Sequence, residues 1–498
     1  MACTTILVGK KASYDGSTFI ARDDDSGSGH FTPKKITVVK PKDQPKEYTS
    51  VLSHVRITLP DNPQRYTAIP NAVKGKGIWA ASGANESNVA MTATETITSN
   101  ERVLGADPLV AYKKASRGQP EKAGGIGEED LVVITLPYIH SAREGVKRLG
   151  SLLEQYGTYE MNGIAFSDVN EIWWLETIGG HHWMARRVPD SMYAVIPNQL
   201  GIDSFDLHDA LGAQKENMCS ADLRDFIAKN HLDLSYDEVS GGTIQARDVF
   251  GSHDDADHVY NTPRAWFMER YFNPQTSVWD GPAAGYRPDS DTIPWCRVPE
   301  KKITVEDVKY VLSSHFQGTP YDPYASYGDA SMRGAFRSIG INRNDDLALF
   351  QIRPYAPESC RTVEWIALGS NAFNAFVPFY TNTDSMPAYL ANTTDEVSTD
   401  NFYWANRIIA ALSDAHYGKC LAHIERYQEA VLSQGHALIS LYDTQAETSA
   451  APAEQKNICG KANNEIAAML KKETQSVLNT VLFEASCLMK NAYSRSDT

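Results

Sequence analysis

Residues 1–25 read MACTTILVGKKASYDGSTFIARDDD, and their reading decides the fold. The β-branched and apolar runs TTILVG and STFIARD flank a turn-rich KKASYDG, the pattern of two strands joined as a hairpin. An extreme N-terminus is normally frayed, yet this one carries a strand that must be held in place. Cys3 stands directly before the first strand, and Arg22, Asp23, Asp24 and Asp25 close the second. Opposed side chains of paired strands lie about 5 Å apart. The hairpin therefore brings the cysteine and the RDDD cluster together.

Taken alone, Cys3 reads as a small buried hydrophobe, and RDDD as a solvated turn. Position adds a second reading. Removal of Met1 and Ala2 would give Cys3 a free α-amine, whose pKa of about 7.7–8.0 suits it as a base for its own thiol. That arrangement calls for a cation to favour the thiolate and a carboxylate to orient the amine. Arg22 and the three aspartates supply both.

The bulk composition narrows the partners. The 498 residues are 42% hydrophobic and 22% charged, values of a globular chain long enough for several domains or for one large domain with an appendage. A net charge of −15 argues against nucleic acid, whose binding needs clustered Lys and Arg. The nearest basic run, PKKITVVKPKDQPK at 33–46, is interrupted by a strand pattern and reads as a solvated edge hairpin. The seven cysteines (3, 219, 296, 360, 420, 459 and 487) are odd in number and lack C-x-x-C spacing, as expected of free thiols in a reducing compartment. With no signal-peptide pattern and no apolar stretch of about 18 residues, a cytoplasmic protein without a membrane partner is expected.

Further strands are expected at GIWAASG, NVAMTATET and DLVVITLP, then in a meander of GIAFSD, EIWWLET, HHWMARRV and MYAVIPN, and later at FRSIGI and ALFQIRP. Helices are expected at SAREGVKRLGSLLEQYG with a Gly157 stop, at SADLRDFIAKNHL with Ser220 as cap, and at TVEDVKYVLSSHF behind a Thr304/Asp307 capping box. Beyond about residue 400 apolar positions recur at helical spacing. Residues 401–498 then read as a helical hairpin, its arms joined by a small-residue linker TSAAPAEQKNICGKAN, packed on the body or on a neighbouring subunit.

Residues 1–25 resemble the start of the N-terminal-nucleophile cysteine hydrolases, and within them the bacterial dipeptidase subgroup. Cys3, Arg22 and Asp25 match the motif of a processed Cys followed by Arg-x-x-Asp. The similarity continues through GANESNVAMTATET (83–96), WWLETIGGHHWMARRVPDSMYAVIPNQLGID and YNTPRAWF. It implies an α+β fold, a four-layer αββα sandwich of antiparallel sheets over residues 3–400 with a helical C-terminal extension at 401–498. It also implies hydrolysis of dipeptides of broad sequence through an acyl-enzyme on Cys3, with small peptides as substrates and no cofactor. In that scheme Arg22 and Arg264 hold the thiolate and orient the site. Asp25 binds the α-amine, and Asn198 serves the oxyanion.

Where acylases of the superfamily carry a second oxyanion Asn, a gapless match lands on Glu95. An ionised Glu donates no hydrogen bond, so Glu95 is expected instead to face a substrate ammonium, with Asp23 and Asp24 as further candidates. His181 and His182 in GGHHW are candidate pocket residues. HDDADH at 253–258 lacks the context of a metal motif and reads as a solvated turn, so no metal is expected. The Gly-rich stretches at 27–29 and 123–130 lack a P-loop Lys and read as loops. A homo-oligomer is expected. An amidase of the same superfamily acting on N-acyl amino acids or bile salts, and a non-catalytic binding protein, are the alternatives.

Overall fold

The computed structural model describes residues 3–27, 29–93, 95–235 and 242–491. Among the described residues, fourteen strands form the two large sheets. In chain order they are β1 (Thr4–Val8), β2 (Thr18–Asp25), β3 (Ser82–Ala84), β4 (Ala90–Thr92), β5 (Glu95–Thr96), β6 (Asn162–Ser167) and β7 (Ile172–Ile178). There follow β8 (His182–Val188), β9 (Tyr193–Ile196), β10 (Asn217–Cys219), β11 (Cys296–Arg297), β12 (Asn344–Ile352), β13 (Thr362–Leu368) and β14 (Val377–Tyr380). One sheet runs β11-β9-β1-β2-β12-β13-β14, and the other β10-β8-β7-β6-β4-β3 with β5 also paired on β6. Both are antiparallel, so the chain is α+β.

The expected hairpin is the centre of the first sheet. Thr5 pairs with Arg22 and Ile6 with Ala21, while β12 covers the other edge of β2. Every residue of β1 and β2 is buried. A strand flanked on both edges and covered on both faces becomes a continuous apolar run, which is why TTILV and TFIA carry no polar alternation. The terminal RDDD breaks that run, and burying such charges is costly unless they are paired. Polar side chains of β1 and β2 reach the second sheet directly: Arg22 donates to the carbonyls of Ala81 and Ala93, and Thr5 to Glu95.

Helices cover the sheets. In α1 (Ala142–Tyr156), capped by Ser141 and stopped by Gly157 at φ 68°, Gly145 and Gly150 lie against Phe166 of β6 and Trp183 of β8. The helices α2 (Thr262–Phe272) and α3 (Val305–Leu312) brace β9 and the β1–β2 hairpin, and α3 starts from the expected Thr304/Asp307 capping box. The C-terminal region is helical: α4 (Phe402–Asp414), α5 (Tyr417–Glu447) and α6 (Pro452–Cys487). Asp443 of α5 accepts hydrogen bonds from Tyr380 and Arg353, and Asn463 of α6 pairs with the main chain of Tyr380.

Several local expectations are corrected. DLVVITLP is helical from Leu131 to Thr135, with all five residues buried, because an apolar run buried all round carries no period to separate helix from strand. MYAVIPN leaves the meander: β9 crosses to pair with β1, and Gly9 packs against Pro189 and Asp190 at a distance that only a glycine permits. FRSIGI is not a strand, and Asp222 rather than Ser220 stands at the N-cap position of Leu223–Lys229, without a side-chain capping bond. PKKITVV gives no hairpin of its own, since Thr37–Val39 pairs with Tyr66–Ala68. From Pro452 onward the expected C-terminal linker is part of α6, Pro452 being a residue well suited to a first helical turn.

Candidate active site around Cys3

Antiparallel register places Thr4 opposite Asp23, and hence Cys3 opposite Asp24. Side chains alternate along a strand, so Arg22 and Asp24 share the thiol face while Asp23 and Asp25 turn to the other. Cys3 is fully buried. Its Sγ accepts a hydrogen bond from Arg22 Nη2 at 3.0 Å and lies 3.6 Å from Asp24 Oδ1. The same Nη2 donates to Asp24 Oδ1 at 2.8 Å and Glu128 Oε1 at 3.1 Å. Arg22 Nη1 is anchored on the carbonyls of Ala81 and Ala93 at 3.0 and 2.8 Å, so the guanidinium cannot drift from the sulfur.

Charge balance fixes the protonation states. Burial pushes the Cys3 thiol well above its ordinary value; Arg22 opposes the rise, and the carboxylates of Asp24, Glu95 and Glu128 add to it. The thiol of the chain as it stands is therefore protonated. Burial alone would raise Asp24 too, but Lys34, 2.8 Å from its Oδ2, and Arg22 together hold it well below the usual carboxylate range.

The main-chain side of Cys3 is held by a second set. Its nitrogen donates to Asn198 Oδ1 at 3.1 Å, which also accepts from Arg264 Nη2 at 2.9 Å, while Asn198 Nδ2 donates to Thr96 O at 3.0 Å. Arg264 Nη1 donates to the Cys3 carbonyl and, at 2.7 Å, to the Thr4 hydroxyl. The residue sits in the first turn of α2, where TPRAW places Pro263 beside it and its Nε returns to Tyr260 O.

The remaining sequence candidates divide. Asp25 accepts from Arg337 and Asn344, so the oxygen on the Cys3 nitrogen comes from Asn198 rather than from the expected Asp25. Asp23, on the same face as Asp25, is pushed up to about 7 by burial against the opposing pull of Arg337 and Arg264. Glu95 accepts from Thr5 Oγ1 at 2.9 Å, and burial pushes its carboxyl up to about 8, opposed by Arg264 and Arg22. At neutral pH it is a carboxylic acid that can donate, which removes the reason for excluding it from the oxyanion side and weakens its case as an ammonium acceptor.

His181 and His182 belong elsewhere. At the β7–β8 turn their main-chain nitrogens and ring Nδ1 atoms converge on Asp107, at 2.7–3.1 Å, His182 Nε2 lies 3.5 Å from Asp222, and the His182 ring stacks on Phe226. In HDDADH, His258 pairs with Asp291, and no group of three or more metal-ligating side chains forms among the described residues.

Three residues escaped the sequence reading. Lys34, in the stretch read as a solvated hairpin, is fully buried on Asp24. Glu128, in the Gly-rich GIGEED, lies on Arg22. Arg337 serves Asp25 from a segment read as a strand. The available signal was stoichiometric: a buried RDDD needs more cations than one arginine supplies.

A buried cysteine held by an arginine at the head of the first strand is the arrangement expected of the cysteine peptidases with an N-terminal nucleophile. The chain belongs to peptidase family C69, whose profile matches residues 2–430. It is 55% identical, over the full length of both chains, to a dipeptidase of Bifidobacterium longum. A probable dipeptidase A of Streptococcus pyogenes serotype M3 is 52% identical with the same full coverage. A probable dipeptidase B of Lactococcus lactis is 43% identical over 100% of this chain and 98% of its own.

Proposed function

We propose that the chain is a cysteine dipeptidase whose nucleophile is the Cys3 thiol, freed for catalysis by removal of Met1 and Ala2. The observation that carries this reading is the single Arg22 nitrogen 3.0 Å from Sγ, on a residue whose own nitrogen is held by Asn198. Removal of the two leading residues would turn that nitrogen into an amine able to take the thiol proton. Arg22 then stabilises the thiolate, which attacks the peptide carbonyl. Asn198 Nδ2, exchanging its bond to Thr96 O, serves the developing oxyanion together with main-chain donors. The Cys3 ammonium passes its proton to the leaving amine, and water resolves the thioester. Arg264 holds Asn198 and the Cys3 carbonyl in register throughout.

The same reading makes residues 3–400 the catalytic body, a four-layer αββα sandwich, and 401–498 its extension. Two facing antiparallel sheets, α1 on one and α5 with α6 beside the other, support it. The names of the relatives support the substrate class. Purified protein should release both amino acids from Ala-Ala-type dipeptides, with an intact mass lacking Met1 and Ala2. A Cys3→Ala variant that still cleaved dipeptides, or active protein retaining Ala2, would overturn the proposal. Turnover confined to N-acyl amino acids or bile salts would favour the amidase reading.

A further inference from the structure

An enzyme that takes free dipeptides must recognise an ammonium group two bonds from the carbonyl it attacks. A sulfur in attack position lies about 3–3.5 Å from the carbonyl carbon, and the α-nitrogen about 2.5 Å beyond it. A carboxylate accepts an ammonium at about 2.7–2.9 Å. The acceptor therefore lies within about 9 Å of Sγ, on the thiol face.

Four carboxyl groups are near enough to weigh. Asp24 is saturated, with Arg22 on one oxygen and the buried Lys34 on the other. Asp23 is turned to the opposite face of β2, toward Arg337 and Arg264. Glu95 is bound to the Thr5 hydroxyl. Glu128 is different. Its Oε1 is held by the very nitrogen that holds the sulfur, which places the two atoms at most about 6 Å apart.

We propose that Glu128 is the acceptor of the substrate's free α-ammonium group, and so determines that the site takes a peptide by its unblocked amino end. The inference rests on the dipeptidase reading above. Burial raises the Glu128 carboxyl, opposed by Arg22, and a bound ammonium favours its charged form. The loop is built to present the residue. The Glu128 main-chain nitrogen donates to Glu160 Oε1 at 2.6 Å, and Gly127 N to Asp130 Oδ2 at 2.9 Å. At Gly127 a Cβ would overlap the Tyr159 ring, so only a glycine lets the loop close down on that ring.

The test compares wild type with Glu128→Gln on alanyl-alanine and on propionyl-alanine, which differs only in lacking the amino group. Wild type should prefer the dipeptide. In the variant the ratio of kcat/KM on the dipeptide to kcat/KM on propionyl-alanine should fall about 10–100-fold, the worth of a hydrogen bond to a charged group, because any loss through Arg22 falls on both substrates alike. Equal losses on both substrates would mean that Glu128 acts only through Arg22, and would overturn the inference. Should Glu128→Gln fail to fold, Glu128→Asp replaces it, with a raised KM for the dipeptide expected at little cost in kcat; an unchanged KM would count against the inference. A wild type that cleaves no dipeptide defeats the dipeptidase reading itself, whereas a wild type that cleaves dipeptides with an unaltered variant preference defeats only this inference.

Discussion

Arg22 spends its donors on two jobs, anchoring itself to two carbonyls of the second sheet and dividing one nitrogen among Sγ, Asp24 and Glu128. A lysine keeps the charge but not the fork. Arg22→Lys should therefore slow iodoacetamide alkylation of Cys3 in processed enzyme about tenfold or more near pH 7.5, since a neighbouring cation sets the thiolate fraction; an unchanged rate would show that Lys34 suffices. A second residue speaks to pH. Glu364 on β13 is raised to about 8 by burial alone, and neither oxygen has a hydrogen-bond partner among the described residues. Its folded pKa exceeds its unfolded one, so its contribution is fully present below about pH 4.5 and is lost as pH rises toward 8, by an amount on the order of a few kcal/mol. Glu364→Gln should match wild type in thermal stability near pH 5 and exceed it near pH 8.5. Parallel melting curves across that range would contradict this.

At the scale of elements, close approach decides stability more than propensity does. Gly150 of α1 faces the Trp183 ring so tightly that an added Cβ would overlap it. Alanine gains about 1 kcal/mol of helix propensity, but overpacking costs about 1–3 kcal/mol. Gly150→Ala should accordingly lower the unfolding midpoint, and Gly150→Val should lower it further. At α3 the capping box is complete in both directions, so Thr304→Ala should cost about 1 kcal/mol in denaturant unfolding. These two helices also show where pattern suffices: α1 and α3 carry both an apolar stripe and a cap, and both were legible. The Leu131–Thr135 helix has neither, and β-branched residues misled the reading.

At the scale of the whole molecule, Asp443 is one of the ties between the C-terminal helices and the first sheet. Asp443 pairs in a forked arrangement with Arg353, whose side chain is only 3% exposed, and accepts from Tyr380. Asp443→Ala strands a buried guanidinium, and such breaks cost about 3–5 kcal/mol. The variant should lose stability of that order and exchange amide hydrogens faster across residues 417–487; protection equal to wild type would show that packing alone holds the helices.

The hairpin of Cys3 with Arg22 and its three aspartates, the family it belongs to, and Asn198 and Arg264 were all readable from residue type and spacing. Those features are local, or lie in contiguous motifs. Which aspartate faces the thiol required the strand register, because one residue of slip exchanges the faces of β2. That Lys34 is brought to Asp24 and Glu128 to Arg22, that Glu95 is buried on Thr5, and that His181 and His182 pair with Asp107 are decided only by the tertiary structure. Burial and charge pairing act between groups far apart in sequence, and no local pattern records which cation will be brought to which buried carboxylate.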